Sequence, residues 1–169
     1  MKTLISEKIP RILKNKTRLE KLLKIKISNR GKETVIEGTP ENEFTAEKVI
    51  DAINFGFPYS HATEIKKQDL EFEIINLKDY TKKHDYERIR GRIIGKGGKA
   101  LRNLSELSDC FIEINENRIG IIGEPLNVKN AIEALTQIIR GSKHGNVYKG
   151  LEKSKPEIIQ DLGLRDKNN

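Results

Sequence analysis

Arg90-Gly91-Arg92-Ile93-Ile94-Gly95-Lys96-Gly97-Gly98-Lys99 is the stretch on which the reading of this chain turns. A basic and apolar lead-in, Arg88 to Ile94, runs into Gly95-Lys96-Gly97-Gly98. Leu101, Leu104 and Leu107 follow at a spacing of three, which predicts a helix leaving the loop. Glycine at positions 95 and 98 lets the backbone take positive φ and lets another backbone approach closely. The N–H groups that open the following helix attract anions, and Lys96 and Lys99 add two full positive charges. A phosphate, or a run of phosphates, is the ligand that suits this pattern.

Three kinds of phosphate loop compete. A Walker loop requires G-x-x-x-x-G-K-[ST]. Here Ala100 follows Gly98-Lys99, and Ile93 stands where the first glycine belongs, so that reading fails. The dinucleotide fingerprint G-x-G-x-x-G/A is met by Gly95, Gly97 and Ala100, with Glu113 near the place of a ribose ligand. It fails downstream, because the runs Phe111–Asn115 and Arg118–Ile122 are joined by a hairpin turn. A parallel sheet needs a crossover there. The third reading is the GXXG loop of a KH module, which clamps about four nucleotides of single strand. The order of elements resembles that module: strand (70–77), helix, GXXG, helix, strand (111–115), strand (118–122), helix (126–140).

The first third of the chain repeats this order. Thr3 to Ile5 read as a strand, and Pro10 suits the first turn of a helix. Ile9, Ile12 and Leu13, then Leu19, Leu22 and Leu23, carry helical spacings. Ile25 and Ile27 alternate with lysines, Asn29-Arg30-Gly31-Lys32 signals a hairpin, and Thr34 to Ile36 return. Glu41 to Phe57 is expected to be an amphipathic helix with Phe44, Val49, Ile50 and Ile53 inward. Lys14-Asn15-Lys16-Thr17 stands in the GXXG position without a glycine, so Cβ atoms would crowd a sugar-phosphate backbone. This first copy either holds RNA by charge alone or serves as a packing platform for the second copy or a protein.

The fold class that follows is α+β. Two tandem type I KH modules are expected, each βααββα, with a three-stranded antiparallel sheet and helices on one face. Residues 1–58 form the degenerate first module, 59–69 a connector with a short polar helix from His61 to Gln68, 70–141 the second module and 142–169 a C-terminal extension. Gly91 inside a helix implies a close approach to something. Gly141 is a helix stop, and the glycine-rich run to Tyr148 reads as a turn docking the extension. Tyr148 either stacks on a base or sits in a core seam. Residues from Glu152 on, with Pro156, are expected to be partly helical.

Bulk composition narrows the function. The chain has 169 residues, 34% charged and 5% aromatic with no Trp, so Ile, Leu and Val must build its core. A single cysteine, Cys110, excludes an internal disulfide and a cysteine-based metal site. No long apolar run or signal-peptide pattern occurs, so a soluble, cytoplasmic protein with no membrane partner is expected. The net charge of +7 is unevenly spread. Lys82 to Arg102 holds eight bases against two acids, and Lys8 to Lys32 holds ten against one. Two such stripes suit a polyanion. No nucleophile elbow or HExxH is present, and His61, His84 and His144 are far apart, so neither catalysis, nor a metal, nor a cofactor is expected.

The paired helices and the 111–115 strand would form a groove for four bases, with Ile93, Ile94 and Leu101 on one wall and Phe111, Ile112 and Glu113 on the other. Gly95, Lys96, Gly97, Gly98 and Lys99 would hold phosphates, and Arg88, Arg90, Arg92 and Arg102 would add longer-range attraction. The second module, with Gly141-x-x-His144-Gly145-x-Val147-Tyr148 behind it, is similar to the archaeal partner-of-Nob-one family of double-KH ribosome-assembly factors. The resemblance implies binding of single-stranded RNA, namely small-subunit ribosomal RNA near its 3′ end. It implies as partners the endonuclease that trims that end and the alpha subunit of an archaeal initiation factor. Backbone contacts would fall on Gly95, Lys96, Gly97 and Gly98. The other readings are a general KH-type RNA-binding or RNA-decay adaptor without ribosomal preference, and a protein-interaction scaffold.

Overall fold

The structure, a computed structural model, describes residues 1–155. The expected helix beyond Glu152 therefore lies outside the described residues from Pro156 on.

The first unit runs β1 (Lys2–Ile5), α1 (Ile9–Lys14), α2 (Lys16–Leu23), β2 (Lys26–Arg30), β3 (Glu33–Glu37) and α3 (Pro40–Phe55). Two short helices, α4 (Tyr59–Ala62) and α5 (Glu64–Lys67), form the connector. The second unit runs β4 (Glu71–Asn76), α6 (Leu77–Tyr80), α7 (Tyr86–Ile94), α8 (Lys99–Ser108), β5 (Phe111–Asn115), β6 (Arg118–Gly123) and α9 (Pro125–Ile139), followed by α10 (His144–Ser154). Each sheet is antiparallel with the third strand in the middle, in the order β1-β3-β2 and β4-β6-β5. The fold is α+β and of KH type, with the arrangement used twice. Among the described residues no helix is long and apolar enough to cross a membrane.

Local chemistry sets the helix starts. Pro10, Pro40 and Pro125 occupy first turns, where a missing N–H costs nothing. Thr39 caps α3 by accepting from the Asn42 N–H at 3.3 Å.

Two apolar cores form. The first gathers Ile12, Leu19, Ile36, Ile50, Ile53, Phe55 and Phe57 from the first unit and also takes in Ile122 of β6. The second lies between the other face of the second sheet and helices α7 to α10, around Ile93, Leu104, Ile119, Ile121, Leu135 and Ile138. The second sheet is thus covered on both faces. Phe72 of β4 and Phe111 of β5 pack against the first core. Phe55 and Phe57 meet Phe72 edge-on, with centroids 6.2 and 5.7 Å apart. Asn115 Nδ2 donates to the Phe55 carbonyl at 2.9 Å. Four of the chain's five phenylalanines lie at this seam. The first unit is therefore a packing platform for the second.

Four expectations need correction. Phe44 points outward, 57% exposed, with Lys48 Nζ 4.4 Å from its ring centroid. Glu43 takes the inward position instead, because its carboxylate accepts from the Gly38 N–H at 3.0 Å. Gly91 meets nothing: a Cβ there would have open space, so no close approach requires it. The run after Gly141 is helix α10 rather than a turn. Val147 and Leu151 stand four apart, both buried, and Tyr148 packs on the same core, which outweighs the roughly 1 kcal/mol that each of Gly145 and Gly150 costs a helix. Finally, the four-residue loop expected at Lys14–Thr17 is a single residue, Asn15, between α1 and α2.

Candidate nucleic-acid interface

The turn between α7 and α8 is built by its glycines. Helix α7 ends where Gly95 takes φ +73°, and the Gly95 N–H donates to the Gly91 carbonyl at 2.8 Å. Lys96–Gly98 form one 3-10 turn, with Gly97 at φ +61° and Gly98 at φ +76°. L side chains are strained at such angles. Gly95 is required a second time over, since a Cβ would stand 2.6 Å from the Ala100 Cβ and 2.8 Å from its nitrogen. Gly97 faces open space. Lys96, Gly97 and Lys99 are exposed, and neither lysine has an ion-pair partner among the described residues. Arg102 Nη1 donates to the Gly97 carbonyl at 3.0 Å and braces the turn from α8. No side chain caps the start of α8, so its first N–H groups are left without a side-chain acceptor, with the exposed Lys96 and Lys99 beside them.

Beside this turn lies an open groove of about 650 Å³. One wall is α8, with Gly98, Leu101, Arg102, Ser105 and Glu106; the other is β5, with Phe111, Ile112 and Glu113; His61 of α4 joins them. Burial raises the Glu113 pKa, and the nearby charges of His61, Arg11 and Lys8 oppose that rise. Cys110, just before β5, is buried, and burial pushes its thiol up to about 11, so it stays protonated and packs.

The structure brings Gly98, Leu101, Arg102, Phe111, Ile112 and Glu113 together in the groove, with Gly95, Lys96, Gly97 and Lys99 at or beside the turn. Five of the expected residues stand elsewhere. Ile93 is fully buried in the second core and Ile94 is 37% exposed, and neither lines the groove. Arg92 turns inward: Nη1 and Nη2 donate at 2.7 Å to the carbonyls of Ile138 and Ser142. It ties α7 to the end of α9, and His144 Nε2 closes the same corner against the Arg92 carbonyl at 2.7 Å. Arg88 is exposed but paired, its Nε 2.7 Å from Asp85 Oδ2. That pairing holds the Asp85 carboxyl below the usual range. Arg90 is partly buried on α7.

Sequence reasoning missed His61, Ser105 and Glu106. The last two follow from Leu101 and Arg102 by one helical turn. His61 carried no local signal, because it enters through the packing of the connector.

The comparisons with known proteins agree with this architecture. Residues 71–156 match the model of a eukaryotic-type KH domain, type I, described as the second KH domain of PNO1. The KH domain-containing protein MJ0443 of Methanocaldococcus jannaschii is 31% identical over 150 residues, covering 85% of this chain and 66% of that one. The RNA-binding protein pno1 of Dictyostelium discoideum is 28% identical over 118 residues, covering 68% and 49%. The chain thus spans from about half to two thirds of the length of these curated relatives. Among solved structures, Dim2p from Pyrococcus horikoshii superposes with a TM-score of 0.82 at 29% identity, covering 90% of this chain and 98% of that one. The same organism's a/eIF2alpha–aDim2p–rRNA complex contains a chain that superposes at 0.81 with 28% identity, covering 90% and 92%. With a type I KH domain matched across half its length, the chain belongs to the PNO1/Dim2 family of KH-domain proteins.

Proposed function

We propose that the chain binds single-stranded RNA in the groove between α8 and β5, without catalysis, and that its target is small-subunit ribosomal RNA near the 3′ end during ribosome maturation. The observation that carries the reading is an exposed glycine turn beside an open groove of about 650 Å³. The turn takes the sugar-phosphate backbone through the N-terminus of α8, Lys96 and Lys99, and Arg102 holds the turn in shape. Leu101 and Ile112 give the bases apolar walls, and β5 offers polar edges. The ribosomal target is supported by the Pyrococcus horikoshii complex with rRNA and by relatives named as pre-rRNA-processing proteins. The alpha subunit present in that complex, and the endonuclease that trims the 3′ end, are the protein partners this reading entails.

Lys96→Asp with Gly97→Asp tests it. Both positions are exposed and neither side chain supports the core. Aspartate at position 97 strains the left-handed turn modestly, so the double variant is expected to melt a few degrees below the wild type, still folded, and to lose binding to single-stranded RNA carrying the ribosomal 3′ sequence. Wild-type affinity in that variant refutes the reading. Equal wild-type affinity for unrelated single strands refutes the ribosomal target alone.

A further inference from the structure

We propose that the groove is completed from outside the KH module: the imidazole of His61, stacked on Phe111, forms an aromatic platform for one base, and Glu113 beside it accepts a hydrogen bond from that base's amino group. The proposal rests on the single-strand reading above and adds to it a residue and a base class.

The two rings lie 4.1 Å apart between centroids at 14°, a parallel stack. Phe111 is pressed on its inner side against the first core, so its ring is not free to move. The backbone under His61 is equally fixed. Ala62 and Thr63 are fully buried, the His61 N–H donates to the Pro58 carbonyl at 3.0 Å, and Thr63 Oγ1 donates to the Tyr59 carbonyl at 2.8 Å. Yet the imidazole itself stays partly exposed and lines the groove. Such a ring, rigidly mounted, loses little freedom when a base lands on it.

The KH portion of the groove offers bases mainly the aliphatic surfaces of Leu101 and Ile112, and stacking on a ring is the stronger contact. The module's own ring in the groove, Phe111, is covered by the His61 stack, so the ring left to a base is that of His61, which lies in the connector, outside the region matched by the family model. Glu113 shares the same wall, on the face of β5 that carries Phe111. A carboxylate has only acceptors, so it pairs with the exocyclic amino group of cytosine, adenine or guanine and disfavours uracil, whose one edge donor, N3–H, is flanked by two carbonyl oxygens that repel it.

Packing alone gives a rival account of His61, and leucine separates the two. His61→Leu keeps an apolar contact with Phe111 and removes the ring, whereas His61→Phe keeps the ring. Each full-length variant is titrated with short single strands carrying 2-aminopurine at one position in turn. Wild type is expected to quench one position strongly by stacking. His61→Leu should lose that quench and bind about tenfold more weakly, and His61→Phe should restore both. Uracil at the quenched position should weaken binding to wild type, and Glu113→Gln should remove that discrimination. The wild-type uracil test does not depend on any variant folding. Intact quenching and affinity in His61→Leu, equal losses in His61→Leu and His61→Phe, or indifference to uracil in the wild type overturns the proposal. In each case the single-strand reading survives if Lys96→Asp with Gly97→Asp still abolishes binding. Wild-type binding in that double variant removes both together.

Discussion

Alanine at Gly120 is expected to destabilise the protein, and alanine at Gly91 to stabilise it, although the chemical change is the same. An ideal Cβ at Gly120 stands 2.8 Å from Phe55 Cε1, 2.8 Å from Phe57 Cε2 and 2.9 Å from Phe55 Cδ1. Carbon atoms rest about 3.5–4.0 Å apart, so each contact is short by roughly 0.6 Å or more. The rings have nowhere to go. Phe57 is fully buried, Phe55 nearly so, and both are wedged against Phe72. Over-packing of this kind costs about 1–3 kcal/mol, and the smaller entropy of an unfolded alanine returns only about 0.4–1 kcal/mol. The net loss, centred on about 1 kcal/mol and reaching about 2.6 kcal/mol, lowers Tm by roughly 2–10 °C at this chain length. At Gly91 a Cβ meets nothing within 4 Å, and the site is inside α7, so alanine gains about 1 kcal/mol of helix propensity. Thermal and urea melts followed by far-UV circular dichroism measure both. A neutral or stabilising Gly120→Ala would refute the seam, because it would mean that the second sheet is not pressed onto the phenylalanines of the first unit.

Arg92→Met keeps the aliphatic stem but leaves the carbonyls of Ile138 and Ser142 without their donors. It is expected to cost about 1–3 kcal/mol and to speed hydrogen exchange in α10, while RNA affinity falls far less than in loop-lysine variants. Equal loss of affinity would mean that Arg92 serves RNA rather than the corner. Asp51 is partly buried on α3, and burial first, then the neighbouring Glu47 charge, raises its pKa to about 6. Its native form binds a proton that the unfolded chain has released, so its contribution to stability falls as pH rises from about 4 through 6. Asp51→Asn is expected to flatten that fall and to melt higher than wild type at pH 7, and an unchanged slope in melts across that range would refute the assignment.

How much of this was legible in the sequence depended on whether the cause was local. Gly95 and Gly98 punctuate the chain by their own backbone freedom, and the leucines after them mark α8, so the turn and the order of elements could be read directly. The duplication could be read for the same reason, since each strand and helix carries its own period. What could not be read was set by partners distant in sequence. Phe44 and Glu43 are neighbours on α3, and Glu43 is held inward by the Met1 ammonium, 2.7 Å from its Oε1, together with the Gly38 N–H. Arg92 reads as one more cation in a basic stripe until the end of α9 arrives beside it. Helix α10 hides behind two glycines because Val147 and Leu151 matter only once α8 and α9 are there to bury them.

The seam between the units did leave a trace, in the run Ile119-Gly120-Ile121-Ile122 of β6. A strand with one face in water alternates polar and apolar residues, and this one does not, because Ile119 and Ile121 enter the second core while Ile122 enters the first. Gly120 sits on the Ile122 face with no side chain at all, which leaves room for large rings from elsewhere. An unalternating central strand containing a glycine thus signals a sheet packed on both sides. The same covering brings the connector over β5 and places His61 on Phe111. The first unit, lacking the glycine turn, therefore acts on the groove through its position: it fixes one wall, and Lys8 and Arg11 set part of the field around Glu113.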